Sequence, residues 1–286
     1  MLSRELMGVV ALWILWVNAL LVAGAAAKDA LALGRRRAQM VPLRPDAGKG
    51  TGLDTVALVT GTLAQGEGEA GAIAAVWVDQ VGRAAGEGET ARIEFADRKV
   101  EARVFGGALS DGTEIQPAPN GEVWLDPKDF EKAGACESDA AFDAGFEAAR
   151  KAKGFARTVK AAAVGQIPVF IFGQVRRRPK KAGSGDWTVV GPTTEGEMLL
   201  STVDPRPLLG RKEQLAWAFI VAELTVTAGI TLLGLNRPWF GVVSTIGGIA
   251  GLGFFLGVQP LGTMVRDAIK VPSQAAIRGR WDRKRA

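Results

Sequence analysis

QLAWAFIVAELTVTAGITLLGL (residues 214–235), the link Asn236-Arg237-Pro238 and WFGVVSTIGGIAGLGFFLGV (residues 239–258) decide the fold. The first run carries one charge, Glu223, and the second carries none. At 1.5 Å per residue, about 20 residues cross a hydrocarbon core of roughly 30 Å. A link of three residues between two such runs forces a helical hairpin, so whatever flanks the pair lies on one side. Toward the start of the chain, Leu6–Ala27 is a third run, 22 residues without a charge. The 186 residues between 28 and 213 are too few to hide three all-round apolar helices in a soluble core. The expected fold is therefore a membrane protein with three transmembrane helices and a mostly antiparallel, barrel-like β domain that carries a helical insert. Its divisions are helix 1 at 1–27, a linker at 28–53, the soluble domain at 54–213, helix 2 at 214–235, helix 3 at 239–258 and a basic tail at 259–286.

The first run has a second reading. A short leading region and Ala25-Ala26-Ala27 also suit a cleaved signal peptide. Against it, Met1–Glu5 carries no net charge, and the run exceeds the usual apolar core of about 7–15 residues.

Charge distribution sets the expected topology. The tail holds seven basic and two acidic residues, which equals the whole formal net charge of +5. Arg35-Arg36-Arg37 follow the first run and Arg211-Lys212 precede the second, whereas the opposite side offers Arg4 and Arg237. Basic residues beside membrane spans favour the cytoplasm, so the domain and the C-terminus are expected there. Alanine, glycine and arginine richness suggests a GC-rich bacterial source and hence an inner membrane. Within the tail, Leu261, Met264, Val265, Ala268 and Ile269 recur at helical spacing beside Arg266 and Lys270. This predicts a short amphipathic surface helix, joined by Arg280 and Arg283 in contacting anionic headgroups at about 1 kcal/mol per cation.

Inside the membrane, Glu223 falls near the midplane, where a charge costs about 2.5–3.5 kcal/mol or more. It is expected to be protonated or paired, as an interhelical contact within a bundle or with a partner subunit. A single carboxylate argues against a transporter. Gly247-x-x-x-Gly251 and Gly253-x-x-x-Gly257 allow close helix approach, to the neighbouring helix or to an oligomer partner.

The soluble stretch alternates with period two. Strands are predicted at 55–63 and 72–81, and a hairpin over 91–104 turning at Asp97-Arg98. Asp126-Pro127 starts a helix that Gly134 can stop, and Ser138 caps a second one to Lys153. A further hairpin is expected from 161–175 and 187–190, then a last strand at 198–203.

Chemical motifs are few. Gly66-x-Gly68-x-x-Gly71 has the letters of a dinucleotide fingerprint but precedes a strand, not a helix, and Glu67 and Glu69 would repel phosphates; a hairpin loop is expected. Gly48-Lys49-Gly50-Thr51 lacks the upstream glycine of a P-loop. With one cysteine, Cys136, and no histidine, an intrachain disulfide, the usual zinc sites and a histidine-based triad are excluded. Cys136 has no cation beside it to activate the thiol. Asp139, Asp143 and Glu147 read as a solvated helix face. Arg176-Arg177-Arg178-Pro179-Lys180-Lys181 is the sharpest charge run of the domain and is placed at a hairpin tip, suited to anionic headgroups or an acidic partner. No aromatic interleaves with it, which disfavours nucleic acid.

Gly61-Thr62-Leu63, Phe95-Ala96-Asp97 with Val100 and Val104, Gly165–Val175 and Met198-Leu199-Leu200-Ser201 follow one another in an order that resembles the GIDE-type domain, found in membrane-anchored proteins including a mitochondrial ubiquitin ligase. The resemblance covers residues 55–212 and implies a membrane-anchored regulatory or binding module. The family's cysteine- and tyrosine-bearing region has no counterpart here, and the chain cannot build a RING domain. The expected function is thus non-enzymatic, without cofactor: a cytoplasmic β domain contacting a partner protein or the membrane surface. The alternative is an accessory subunit that meets its complex, or a second copy, through transmembrane helices 2 and 3. A carboxylate-based hydrolase or transferase remains a third class with no constellation to name.

Overall fold

The computed structural model describes residues 4–43, 55–87, 91–126, 130–132, 139–151, 155–178, 187–236, 241–269 and 280–282. In chain order the elements are α1 (Arg4–Gln39), β1 (Thr55–Gly66), β2 (Ala74–Ala85), β3 (Arg92–Val104), β4 (Gly107–Leu109), β5 (Glu114–Ile115), β6 (Glu122–Trp124), β7 (Phe130–Lys132), α2 (Asp139–Arg150), β8 (Phe155–Ala163), β9 (Pro168–Arg178), β10 (Trp187–Gly191), β11 (Leu199–Ser201), α3 (Pro205–Gly234), α4 (Val242–Ile269) and β12 (Arg280–Asp282). They form a helical unit, residues 1–39 and 206–271, and a β unit, residues 40–205 and 272–286.

Three helices of the first unit are long and apolar enough to cross a membrane: Met7–Gln39, Pro205–Gly234 and Val242–Ile269. All three run beyond the apolar segments. α1 continues twelve residues past Ala27, so the first part of the expected linker is helix. Residues 28–39 are mostly good helix formers, and Arg36 and Arg37 sit in the last turn, where cations complement the helix dipole. α4 continues through Pro260 to Ile269. The separate surface helix expected at 261–269 is therefore the end of the third span; membrane helices tolerate an interior proline because neighbouring groups take up the freed carbonyl. α1 meets α3 through Ala23 and Ala26, packed with Phe219, Ile220 and Leu224.

In the β unit, β1, β4, β5, β10 and β9 pair in succession and β9 pairs back to β1, which closes a small barrel. The pairings around the barrel are antiparallel except β5–β10; β11 extends the sheet from β9 antiparallel, and β6 follows it in parallel. β1 serves two partners: Thr55–Thr62 lie against β9 and Leu63–Gly66 against β4, with a bulge between Leu63 and Gln65. A second, antiparallel sheet runs β12-β3-β2-β8-β7. Both sheets share one core, in which Leu63, Leu109, Ile171 and Leu200 of the first meet Val76, Val78 and Val159 of the second. Beside it, Phe146 and Ala149 of α2 cover Ile93 and Phe95 of β3.

Four expectations on this unit are corrected. Residues 92–104 form one strand rather than a hairpin: Asp79 pairs Lys99 while Gln80 pairs Asp97, so Arg98 is the extra residue of a β-bulge. The bulge shifts the buried positions from odd (Ile93, Phe95) to even (Val100, Ala102, Val104) while keeping one face inward. The stretch 161–175 is split at Gly165, whose φ of +80° suits a turn, so that β8 and β9 lie in different sheets. The helix expected to run from Asp126 to Gly134 is replaced by strand β7 at 130–132, paired with β8. The loop 66–71 joins β1 to β2 across the two sheets and contains a single helical turn, Glu69–Gly71; it is not a hairpin loop.

Candidate functional site

Three regions gather the polar chemistry: the bundle, a basic arm of the barrel and a cluster on the second sheet.

At one end of the bundle the charged residues that flank the apolar runs meet. Arg266 Nε donates to Asp29 Oδ2 at 2.8 Å, joining α4 to α1. Arg37 Nη1 donates to Glu213 Oε2 at 3.0 Å, joining α1 to α3. Lys212 Nζ donates to the Ala268 carbonyl at 2.6 Å, satisfying one of the open acceptors in the last turn of α4. The C-terminal ends of α1 and α4 and the N-terminal end of α3 therefore share a level. Exposed ion pairs of this kind stabilise by about 0–1 kcal/mol each; their value lies in fixing depth and register.

Inside the bundle, Glu223 is 3% exposed and neither carboxylate oxygen has a hydrogen-bond partner among the described residues. Its own backbone carbonyl accepts the Thr227 hydroxyl at 2.8 Å. Two polar links tie α1 to its neighbours: Gln259 Nε2 to Asn18 Oδ1 at 2.9 Å, and Trp16 Nε1 to Thr231 Oγ1 at 2.9 Å.

The two glycine pairs of α4 separate by role. A Cβ on Gly247 would stand 2.8 Å from the Gly234 nitrogen and 2.9 Å from the Leu233 carbonyl carbon, so this glycine seats α4 against the backbone of α3. Gly251 faces Ile230 and Leu15. Gly253 and Gly257 have no such neighbour within 4 Å among the described residues.

The basic run lies where β9 outgrows the barrel. Among the described residues pairing with β1 ends at Val175, and Arg176, Arg177 and Arg178 continue against Val189, Thr188 and Trp187 of β10. Arg176 donates to Gln174 Oε1 at 3.1 Å. Lys180 and Lys181 lie outside the described residues, as do Cys136, Lys270 and Arg283; Arg280 lies on β12, paired across from Glu94.

A third cluster had no signal in the sequence. Gln80 and Arg157 face each other across β2 and β8. Arg157 Nε donates to Gln80 Oε1 at 2.8 Å, Gln80 Nε2 donates to Asp97 Oδ1 at 2.7 Å, and the guanidinium lies 3.6 Å from the centre of the Phe95 ring. Burial of the cation lowers the Arg157 pKa, and nearby Asp97 opposes the shift. On the exposed edge, a hydrogen bond with Glu101 raises the Lys99 pKa. Among the described residues, no three His, Cys, Asp or Glu side chains are grouped to hold a metal ion. The cluster joins neighbouring strands of the second sheet through Arg157 Nε, Gln80 and Asp97, while the two terminal nitrogens of Arg157 are buried and make no hydrogen bond among the described residues.

Comparison of the chain with known protein families, with curated proteins and with solved structures finds no match.

Proposed function

We propose that this chain is a non-enzymatic, membrane-anchored binding module of a bacterial inner membrane, with its β unit and C-terminus cytoplasmic. The observation that carries this reading is the basic arm. A filled apolar barrel supports β9, which runs past its pairing with β1, stays paired with β10, and ends on Arg176-Arg177-Arg178. Arginines at the end of a two-stranded extension suit bidentate contacts to the carboxylates of an acidic partner. The resemblance to GIDE-type domains points the same way. A photo-crosslinking residue at position 177, in the full chain in its own membrane, tests it. A discrete protein adduct that R176Q/R178Q removes is expected; adducts with lipid alone refute the partner. A reporter fused at Ala286 tests the topology, and activity confined to the periplasm would overturn it.

A second reading, an accessory subunit of a membrane complex, is favoured by Gly253 and Gly257. Their uncovered face lets another helix approach closely. G253L/G257L would abolish co-purification of a partner subunit under that reading and leave the arm's crosslink intact.

A further inference from the structure

We propose that the cleft between the last turns of α1 and α4 binds the headgroup of a zwitterionic phospholipid carrying a primary ammonium, of the phosphoethanolamine class. This goes beyond the reading above and depends only on the helices spanning a membrane.

The cleft has a volume of about 490 Å³, and Asp29, Leu33, Arg36, Thr263, Arg266 and Asp267 are among its walls. It lies at headgroup depth. Lys28 and Asp29 are the first charges after the apolar run of α1, and Arg266 is the first charge of α4. The Arg266–Asp29 contact holds these two positions at one level.

The wall chemistry selects the headgroup. Two arginines face two aspartates, so the cleft as a whole is neutral. A purely anionic headgroup would meet both carboxylates with no cation to offset them, and glycerol hydroxyls would donate only neutral hydrogen bonds. A phosphate with an attached ammonium meets every group: the phosphodiester suits Arg36 and Arg266 as a charge-assisted, potentially bidentate acceptor, and the ammonium suits Asp29 and Asp267. Choline is a poorer fit, because a quaternary ammonium has no N–H to donate and is recognised by aromatic rings. Among the described residues no aromatic lines this cleft.

The same two helices also supply a place for an acyl chain. A second cleft, of about 390 Å³, opens on the outer surface between them farther along the spans, against Val17, Leu21 and Phe255. Leu21 lies eight residues before Asp29 on α1, or about 12 Å along the helix at 1.5 Å per residue. A headgroup in the first cleft thus places its chain along the second. The sequence suggested that Arg266 meets anionic headgroups; the aspartates beside it argue for a zwitterion instead.

Native mass spectrometry of the full chain in mild detergent, with equimolar dioleoyl phosphatidylethanolamine, phosphatidylcholine and phosphatidylglycerol, tests the proposal. The ethanolamine lipid should be retained about tenfold better than either competitor, a difference of one decade in Kd. D267N should erase that preference; its side chain is exposed and outside the Arg266–Asp29 pair, so folding is expected to persist and is checked by circular dichroism. R36Q should weaken all three lipids together, because the phosphate is common to them, and if R36Q does not fold, D267N alone decides. Equal retention of the three lipids, or preference for phosphatidylglycerol, overturns the proposal. Displacement by soluble O-phosphoethanolamine at the lipid's own concentration also overturns it, since the site would then serve a soluble phosphoester.

Discussion

Replacing Gly247 by alanine should loosen the bundle, whereas the same change at Gly253, six residues on, should not. A Cβ at Gly247 would meet three atoms of α3 at 2.8–2.9 Å, two of them backbone. Ordinary contacts begin near 3.4 Å, and backbone cannot rotate away as a side-chain tip can. The two helices must therefore part by about half an ångström along their closest line, and overpacking of this kind costs about 1–3 kcal/mol. Gly253 has nothing within 4 Å of its added Cβ among the described residues, and glycine to alanine in a helix gains up to about 1 kcal/mol. The helix-propensity gain is common to both variants, so they should differ by the overpacking alone, about 1–3 kcal/mol. Unfolding of the full chain in mixed detergent and dodecyl sulfate, followed by tryptophan fluorescence, measures this; Trp13, Trp16 and Trp217 report from the helices. Equal midpoints for the two variants would refute the assignment of Gly247 to the α3–α4 contact.

Other changes give equally direct expectations. E223L should stabilise the bundle by about 1–3 kcal/mol in the same assay, because it removes a buried polar group with no partner among the described residues; destabilisation would reveal a polar partner in trans. R157A should cost the β unit about 2–4 kcal/mol, combining the lost bond to Gln80 with the lost contact to Phe95. Near-ultraviolet circular dichroism against urea would show it as an earlier transition. Deletion of Arg98 should leave the β unit folded, since removing the extra residue of the bulge keeps Asp97 opposite Gln80 and Lys99 opposite Asp79 in unbroken alternation, with Val100, Ala102 and Val104 still inward. Loss of β-sheet signal or of protease resistance in that variant would contradict the register.

The spans were legible because membrane insertion depends on run length and charge, both local properties of the chain. The ends of the helices were not, because residues 28–39 and 259–269 are polar enough to read as linker or surface while remaining good helix. The alternation around 91–104 was legible, but its cause was ambiguous. A switch from odd to even buried positions is what either a turn or a single-residue bulge produces, and only the pairing of Lys99 and Asp97 with neighbouring residues of β2 separates them. The division of 161–175 between two sheets depends on partners far along the chain, which no local pattern encodes. At the candidate sites, Glu223 stood out as a lone charge in an apolar run. The cleft of Asp29 and Arg266 did not, because its two walls lie 237 residues apart and its neutrality emerges only when they meet. The Arg157 cluster was hidden for a similar reason: Gln80 and Arg157 are ordinary residues until strand register sets them side by side.

The chain leaves the bundle at Gln39 and re-enters it at Pro205, and the Arg37–Glu213 pair clasps those two helix ends. β12, beyond α4, pairs with β3, so the β unit draws on the chain both between α1 and α3 and after α4. The interval between Gln39 and Pro205 leaves one span and returns at the next, and it makes no demand on the number or direction of the crossings. It follows that a foreign domain could be displayed between those two positions without re-threading the bundle through the bilayer, provided that the β12 segment is removed with the native domain.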